Sequence, residues 1–144
     1  MHFITRERVH VDRMATAWAI RRFVDPGATF EFVRRTSDVS TMQGIPFDMR
    51  GAELGHHGAH CTLEALIDKY EIADEPLRRM AGIIRAADLP QADPGSIIAP
   101  GVLAIFDGIR DSAIGDGERL ERGFVVCDAL YRYCWQNPGA AAAG

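Results

Sequence analysis

Residues 3–33, FITRERVHVDRMATAWAIRRFVDPGATFEFV, decide the fold class. Phe3 to Val9 contains a short extended candidate. From Val11 to Val24 the apolar residues Val11, Met14, Ala15, Trp18, Ala19 and Phe23 recur at steps of 3, 1, 3, 1 and 4, the stripe of a helix with one buried face. Asp25-Pro26-Gly27 ends that helix, because proline disfavours the helical conformation of the residue before it and glycine accepts turn conformations. Ala28 to Val33, rich in aromatic and β-branched residues, suits a strand. Parallel strands need a crossover connection, so strand, helix and strand in this order predict a βαβ unit.

The rest of the chain extends this unit. Thr36 to Gly44 reads as a connection or weak helix, and Ile45-Pro46-Phe47-Asp48-Met49 as a third, edge-like strand because of its proline. Glycines 51, 55 and 58 break regular structure. Helical patterns then follow over Cys61 to Tyr70, Glu75 to Leu89, Ile97 to Ile114 (interrupted at Pro100-Gly101) and Gly117 to Trp135. The expected fold is α/β, a small parallel βαβ-type sheet in the N-terminal half with a helical C-terminal half. One domain over residues 6–136 is predicted, with a disordered tail over 137–144.

Composition narrows the function. The 144 residues are 47% hydrophobic and 25% charged, ordinary globular values. A formal net charge of −4 gives no global field for a nucleic-acid backbone. Arginines are nonetheless concentrated in the first quarter, where they can attract an anion. No stretch approaches the ~20 apolar residues of a membrane helix, and Met1 to Arg6 does not open a signal peptide. A cytoplasmic location is expected, and three cysteines at no paired spacing agree with a reducing compartment. Cys127 and Cys134, seven apart on an apolar helix face, read as buried structural thiols.

Chemistry-bearing residues gather at two places. In α/β sheets functional groups collect beyond the carboxyl ends of the strands, which makes the segments around His10 to Arg13 and Asp48 to Gly51 expected neighbours. The stretch FDMRGAELGHHGAHCTLEAL, residues 47–66, adds His56, His57, His60, Cys61 and Glu64. Imidazole and carboxylate ligands together suit zinc, manganese or iron, whereas magnesium and calcium prefer oxygen alone. The expected metal ligands are His10, Asp12, Asp48, His56 and Asp88. Asp88, closing a helix against its dipole, wants a compensating cation. Arg13 and Arg50 are expected to hold an oxyanion, joined by Cys61 and Glu64 where a helix start offers free backbone N–H groups. Each residue has a plainer reading beside this one: Asp12 as a helix cap, Glu64 as the partner in a capping box, Asp48 as an exposed strand end, the histidines as surface residues.

The run from His10 to Phe23 with Asp25-Pro26 after it, Pro46-Phe47-Asp48, Gly51-Ala52-Glu53, the block His56, Gly58, Cys61, Thr62 and Glu64, and Ala87-Asp88-Leu89 resemble the chromate-resistance domain of bacterial chromate operons. The resemblance runs from Arg6 to about Trp135. It implies a part in a chromate or metal-stress response, with sensing, metal binding or an uncharacterised enzymatic step as its form. Some members carry a DNA-binding-like N-terminal half. This sequence begins almost at the shared block, so no nucleic-acid partner is expected for it alone. Ala59 stands where the family commonly has aspartate, and Arg85 where it commonly has histidine. A weaker likeness, in His10-x-Asp12, Asp48 and His56-His57, is to DHH-type phosphoesterases, which implies a metal-dependent hydrolase acting on a phosphate ester. A third reading is a non-catalytic, dimerising regulatory module in which the histidines satisfy local hydrogen bonds, so homo-oligomerisation also stays open.

Overall fold

A computed structural model of the chain describes residues 1–139; the last five positions of the expected disordered tail, 140–144, lie outside the described residues. The elements run β1 (His2–Arg6), α1 (Val11–Ala19), β2 (Thr29–Val33), β3 (Ile45–Pro46), α2 (Thr62–Lys69), α3 (Glu75–Asp88), α4 (Ala99–Asp111) and α5 (Asp116–Gln136). The sheet is parallel throughout, in the order β2-β1-β3, with Phe3 opposite Phe30 on one side and Ile45 on the other. This is the expected α/β class.

β1 is the central strand, and Phe3, Ile4 and Thr5 are all buried. A parallel strand covered on both faces does not alternate apolar and polar residues, which is why three consecutive positions point inward. Thr5 is tolerated there because its hydroxyl donates to the Phe47 carbonyl at 2.8 Å. The rings of Phe3, Phe30 and Phe47, with centroids 6.0–6.1 Å apart, form an aromatic trio contributed by all three strand segments.

α1 is buried on every side: Arg13 alone of its nine residues is not buried. It packs against α2, α3, α4 and α5, so the amphipathic stripe seen in the sequence understates it. The regular helix also stops earlier than the stripe. Ile20–Val24 winds as a wider π-type turn closed by the Asp25 N–H on the Ile20 carbonyl at 2.8 Å. There Arg22 lies over the Tyr131 ring at 4.8 Å and Arg21 over Phe30 at 5.1 Å.

Two other expectations shift. β3 keeps only two ladder residues: Phe47 still donates its N–H to the Ile4 carbonyl at 2.9 Å, but it also bridges Leu54, and from Asp48 onward the chain pairs with that loop instead of β1. Pro100 does not interrupt the fourth helical pattern but sits in the first turn of α4, where its missing N–H costs nothing. Cys127 and Cys134 are free and fully buried on α5. No helix among the described residues is long and apolar enough to cross a membrane.

The close approach of α1 and α5 depends on Gly123. A Cβ at that position would meet Met14 Cβ and Cγ at 3.3 Å and Sδ at 2.6 Å. Alanine's advantage in a helix is about 1 kcal/mol, against roughly 1–3 kcal/mol for overpacking a filled core. Gly123→Ala is therefore expected to lower the unfolding free energy by about 1 kcal/mol in urea titration, where a surface glycine such as Gly117 changed likewise would raise it; equal effects at both positions would refute the packing account.

Candidate metal and oxyanion site

In a sheet ordered β2-β1-β3 the chain leaves β1 to one side and later returns to the other, so the switch point lies between the carboxyl ends of β1 and β3. Asp12 follows β1 and Asp48 follows β3. The expected neighbourhood is present: Arg13 Nε is 3.2 Å from Asp48 Oδ2, and its Nη2 donates to the Asp48 carbonyl at 2.6 Å.

Asp12 is 1% exposed, a carboxylate in the core. It does not cap its own helix. Its oxygens accept the backbone N–H groups of Thr62 (2.8 Å) and Leu63 (3.1 Å), the first residues of α2, fifty positions away. Those groups have no partner within α2, and the residue before it, Cys61, is a weak cap, so Asp12 supplies the missing acceptor and meets the positive end of the helix dipole.

Asp48 adopts a left-handed backbone conformation, φ +49°, which aspartate tolerates better than most residues. Its side chain is thereby folded back to accept the Thr62 hydroxyl at 2.9 Å. Thr62 thus ties both carboxylates to one helical residue. The loop that follows is closed by Asp48 N–H on Leu54 O (2.7 Å) and by a paired turn between His57 and His60, whose Gly58 at φ +62° needs the freedom of glycine.

His56 rides on this loop. Its Nε2 stands 3.0 Å from Asp12 Oδ2, 3.1 Å from Asp88 Oδ2 and 3.4 Å from Asp48 Oδ1. Asp88 arrives from the last residue of α3. Among the described residues, Asp12, Asp48 and His56 form the one group of potential metal ligands whose donor atoms lie within 4.8 Å of one another. Hydrogen bonds to Asp12 and Asp48 push the His56 pKa up to about 10. Burial, then the charges of Asp12 and Asp48, raise Asp88 to about 7. Burial also pushes Asp48 upward, but the His56 hydrogen bond, the Arg13 charge and the Thr62 hydroxyl outweigh it and leave Asp48 below the usual carboxylate range.

Beside the cluster opens a cleft of about 1160 Å³, bordered by Asp48, His56, Glu53 and four arginines, Arg6, Arg13, Arg35 and Arg50. Of the residues expected to bind an oxyanion, Arg13 and Arg50 line it. Cys61 and Glu64 do not. The Cys61 thiol is fully buried, 3.9 Å from the Ala81 carbonyl, and its pKa is driven upward chiefly by burial. Glu64 accepts the Cys61 N–H at 3.0 Å, as a capping-box glutamate does, and pairs with Arg85 at 2.9 Å. The helix start expected to receive an anion is filled by Asp12 itself. His10 is also apart from the cluster: its Nε2 meets Asp107 of α4 at 2.5 Å. His57 turns away from His56, to the Glu53 carbonyl at 2.6 Å.

The sequence assigns no side-chain role to Thr62, and it marks Arg6 and Arg35 only as part of the arginine-rich first quarter expected to attract an anion. Arg6 and Arg35 follow the rule already used for His10 and Asp48, since they lie at the carboxyl ends of β1 and β2. Thr62 stands in a block that carries the resemblance, but its two partners come from distant segments.

The family profile described as ChrB, C-terminal domain, matches residues 3–134. The chain belongs to the ChrB C-terminal domain family. It is the chromate-resistance family that the sequence blocks resemble. Protein ChrB of Cupriavidus metallidurans is 35% identical over 136 residues, covering 90% of this chain but 39% of that relative's length. No solved structure matches. Within this ChrB-family domain, Asp12, Asp48, His56 and Asp88 all fall in the blocks that carried the resemblance.

Two predictions follow from the cluster. Asp12→Ala strands two buried N–H groups and is expected to cost about 3 kcal/mol of stability, read from denaturant unfolding; a loss below about 0.5 kcal/mol would refute the capping role. In chelator, stability should also fall with rising pH. Asp88 holds its proton more tightly folded than unfolded, so ionising it costs stability between its ordinary 3.8 and about 7. His56 contributes fully below 6.5 and loses its contribution as pH rises through about 10. Asp88→Asn should flatten the melting temperature between pH 5 and 7 and leave the decline above pH 8; an unchanged slope in the lower window would exclude this origin.

Proposed function

We propose that this domain binds a divalent cation between Asp12, Asp48, His56 and Asp88 and presents an oxyanion to it from the arginine-lined cleft, as part of a chromate or metal-stress response. One observation carries the reading. Three carboxylate oxygens converge within 3.0–3.4 Å of a single imidazole nitrogen, which has at most one N–H to offer. A local hydrogen-bonding role would need one acceptor; Arg13 and Thr62 hold Asp48 and the α2 N–H groups hold Asp12, but Asp88 has no further partner among the described residues, and burial beside the other two carboxylates raises its pKa. Replacing that proton by a doubly charged ion satisfies several oxygens at once and inverts the pKa logic of the site.

The donor set is mixed, oxygen with one imidazole, which favours manganese, iron or zinc over calcium or magnesium. Asp12 is pre-positioned by the α2 N-terminus, Asp48 by Thr62 and Arg13. Such hydrogen bonds to ligating carboxylates orient them before any ion arrives. When bound, the ion would supply Lewis-acid polarisation of an oxyanion oxygen. The same donor set supports a hydrolytic use as a second reading, and turnover of a generic phosphodiester that disappears in Asp48→Ala would mark it.

Metal content of purified protein, followed by calorimetric titration with Mn²⁺ and Zn²⁺, tests the proposal. One ion per chain is expected, with a rise in melting temperature and loss of binding in the double variant Asp48→Asn/His56→Gln. At pH 7 binding should also release protons, because His56 and part of the Asp88 population are protonated without metal. Heats that do not depend on buffer ionisation enthalpy, or an unaltered melting temperature in excess metal, would overturn it.

A further inference from the structure

The cleft is more strongly charged, and larger, than a single tetrahedral anion requires. Arg13 is compensated by Asp48 and Lys69 by Glu53. Arg6, Arg35 and Arg50 have no carboxylate within ion-pairing distance among the described residues, although all three border the same hollow. Arg6 is held in place, its Nη1 donating to the Arg34 carbonyl at 2.7 Å and to the Ser37 carbonyl at 3.3 Å. Three uncompensated guanidinium groups on one side of a chain whose net charge is −4 form a local field against the global one.

Charge matching then discriminates between ligands. A lone phosphoryl group carries about −1.5 to −2 at neutral pH, which leaves one guanidinium unmatched, whereas two phosphoryl groups in tandem bring roughly −3. The volume agrees. At about 1160 Å³ the cleft lies at or beyond the upper end of ordinary small-molecule sites, about 300–1,000 Å³. Its concave shape and the overall negative charge disfavour a nucleic-acid strand, which needs an extended basic surface.

We infer that the cleft formed by Arg6, Arg35 and Arg50 binds a small molecule carrying a diphosphate group, one phosphoryl lying toward Asp48 and His56 and the other over the three arginines. This deepens the metal and oxyanion reading and rests on it for the orientation of the ligand. Each guanidinium offers paired N–H donors that fit phosphoryl oxygens two at a time. Among the other lining residues, Met49, Gly51, Ala52, Glu53 and His57, the Glu53 carboxylate is held by Lys69 at 2.6 Å, so the arginines supply the charge that a diphosphate would meet.

Calorimetric titration of the full chain with inorganic pyrophosphate, ADP, inorganic phosphate and sulfate tests this, in chelator and again with Mn²⁺ present. Pyrophosphate and ADP are expected to bind with similar affinity, at least roughly tenfold tighter than phosphate or sulfate. The double variant Arg35→Ala/Arg50→Ala should weaken them by roughly 10–100-fold, as the loss of charge-assisted bonds implies, with Mn²⁺ affinity and melting temperature unchanged. Phosphate binding as tightly as pyrophosphate, indifference to the double variant, or binding of a single-stranded oligonucleotide in preference to both would overturn the inference. Arginine-dependent pyrophosphate binding in chelator, with no Mn²⁺ bound in its absence, would support the diphosphate cleft while refuting the metal reading.

Discussion

The buried carboxylate of Asp12 is the constraint on which the remaining structure turns. A charge with 1% exposure would be severely destabilising without partners, and it has them in Thr62 N–H, Leu63 N–H, the Thr16 hydroxyl at 3.4 Å and the His56 ring. The same bonds satisfy the open N-terminus of α2. Neither group is stable alone in the core, so α1 and α2 are held in one relative position, and the loop that carries His56 between β3 and α2 must close over them. A single side chain therefore joins fold stability to the assembly of the candidate site.

Topology explains why the site forms at this end of the sheet. With β1 central, the chain crosses to β2 and then to β3, so the direction of crossing reverses between the carboxyl ends of β1 and β3, where such sheets form a crevice. Side chains that follow β1, β2 and β3 face this crevice from different directions. α1 begins at its floor, and because that helix is enclosed by α2, α3, α4 and α5, its first turn is held firmly. The helical half also contributes Asp88 at the end of α3, whose burial among other carboxylates raises its pKa to about 7.

The local charges are arranged in two zones with Arg13 between them. On one side three aspartates crowd around one imidazole; on the other, Arg6, Arg35 and Arg50 border the cleft, where Glu53 is paired with Lys69. Arg13 pairs with Asp48 and borders the cleft as well, so it couples the zones electrostatically. A uniform surface of mixed charge would not separate the signs in this way. The separation suits a cation and an anion bound side by side, which is the common logic of the functional proposals.

Much of this was legible in the sequence. Apolar spacing from Val11 to Phe23, the Asp25-Pro26-Gly27 stop and the strand-like run to Val33 specify a βαβ unit, because those signals are local and depend on backbone conformation alone. They also place Asp12 and Asp48 beyond strand ends, and with them the expectation of nearness. What the local signals cannot carry is which partner each polar group takes. His10 and His56 looked equivalent, yet one ring meets Asp107 and the other three carboxylates, because only the packing of α4 against α1, and of the glycine-rich loop over α2, decides which acceptor is within reach. The role of Thr62 was illegible for the same reason, as its two acceptors stand fifty and fourteen residues away. Helices and strands follow from neighbours in the chain, whereas a site of converging charges follows from neighbours in space.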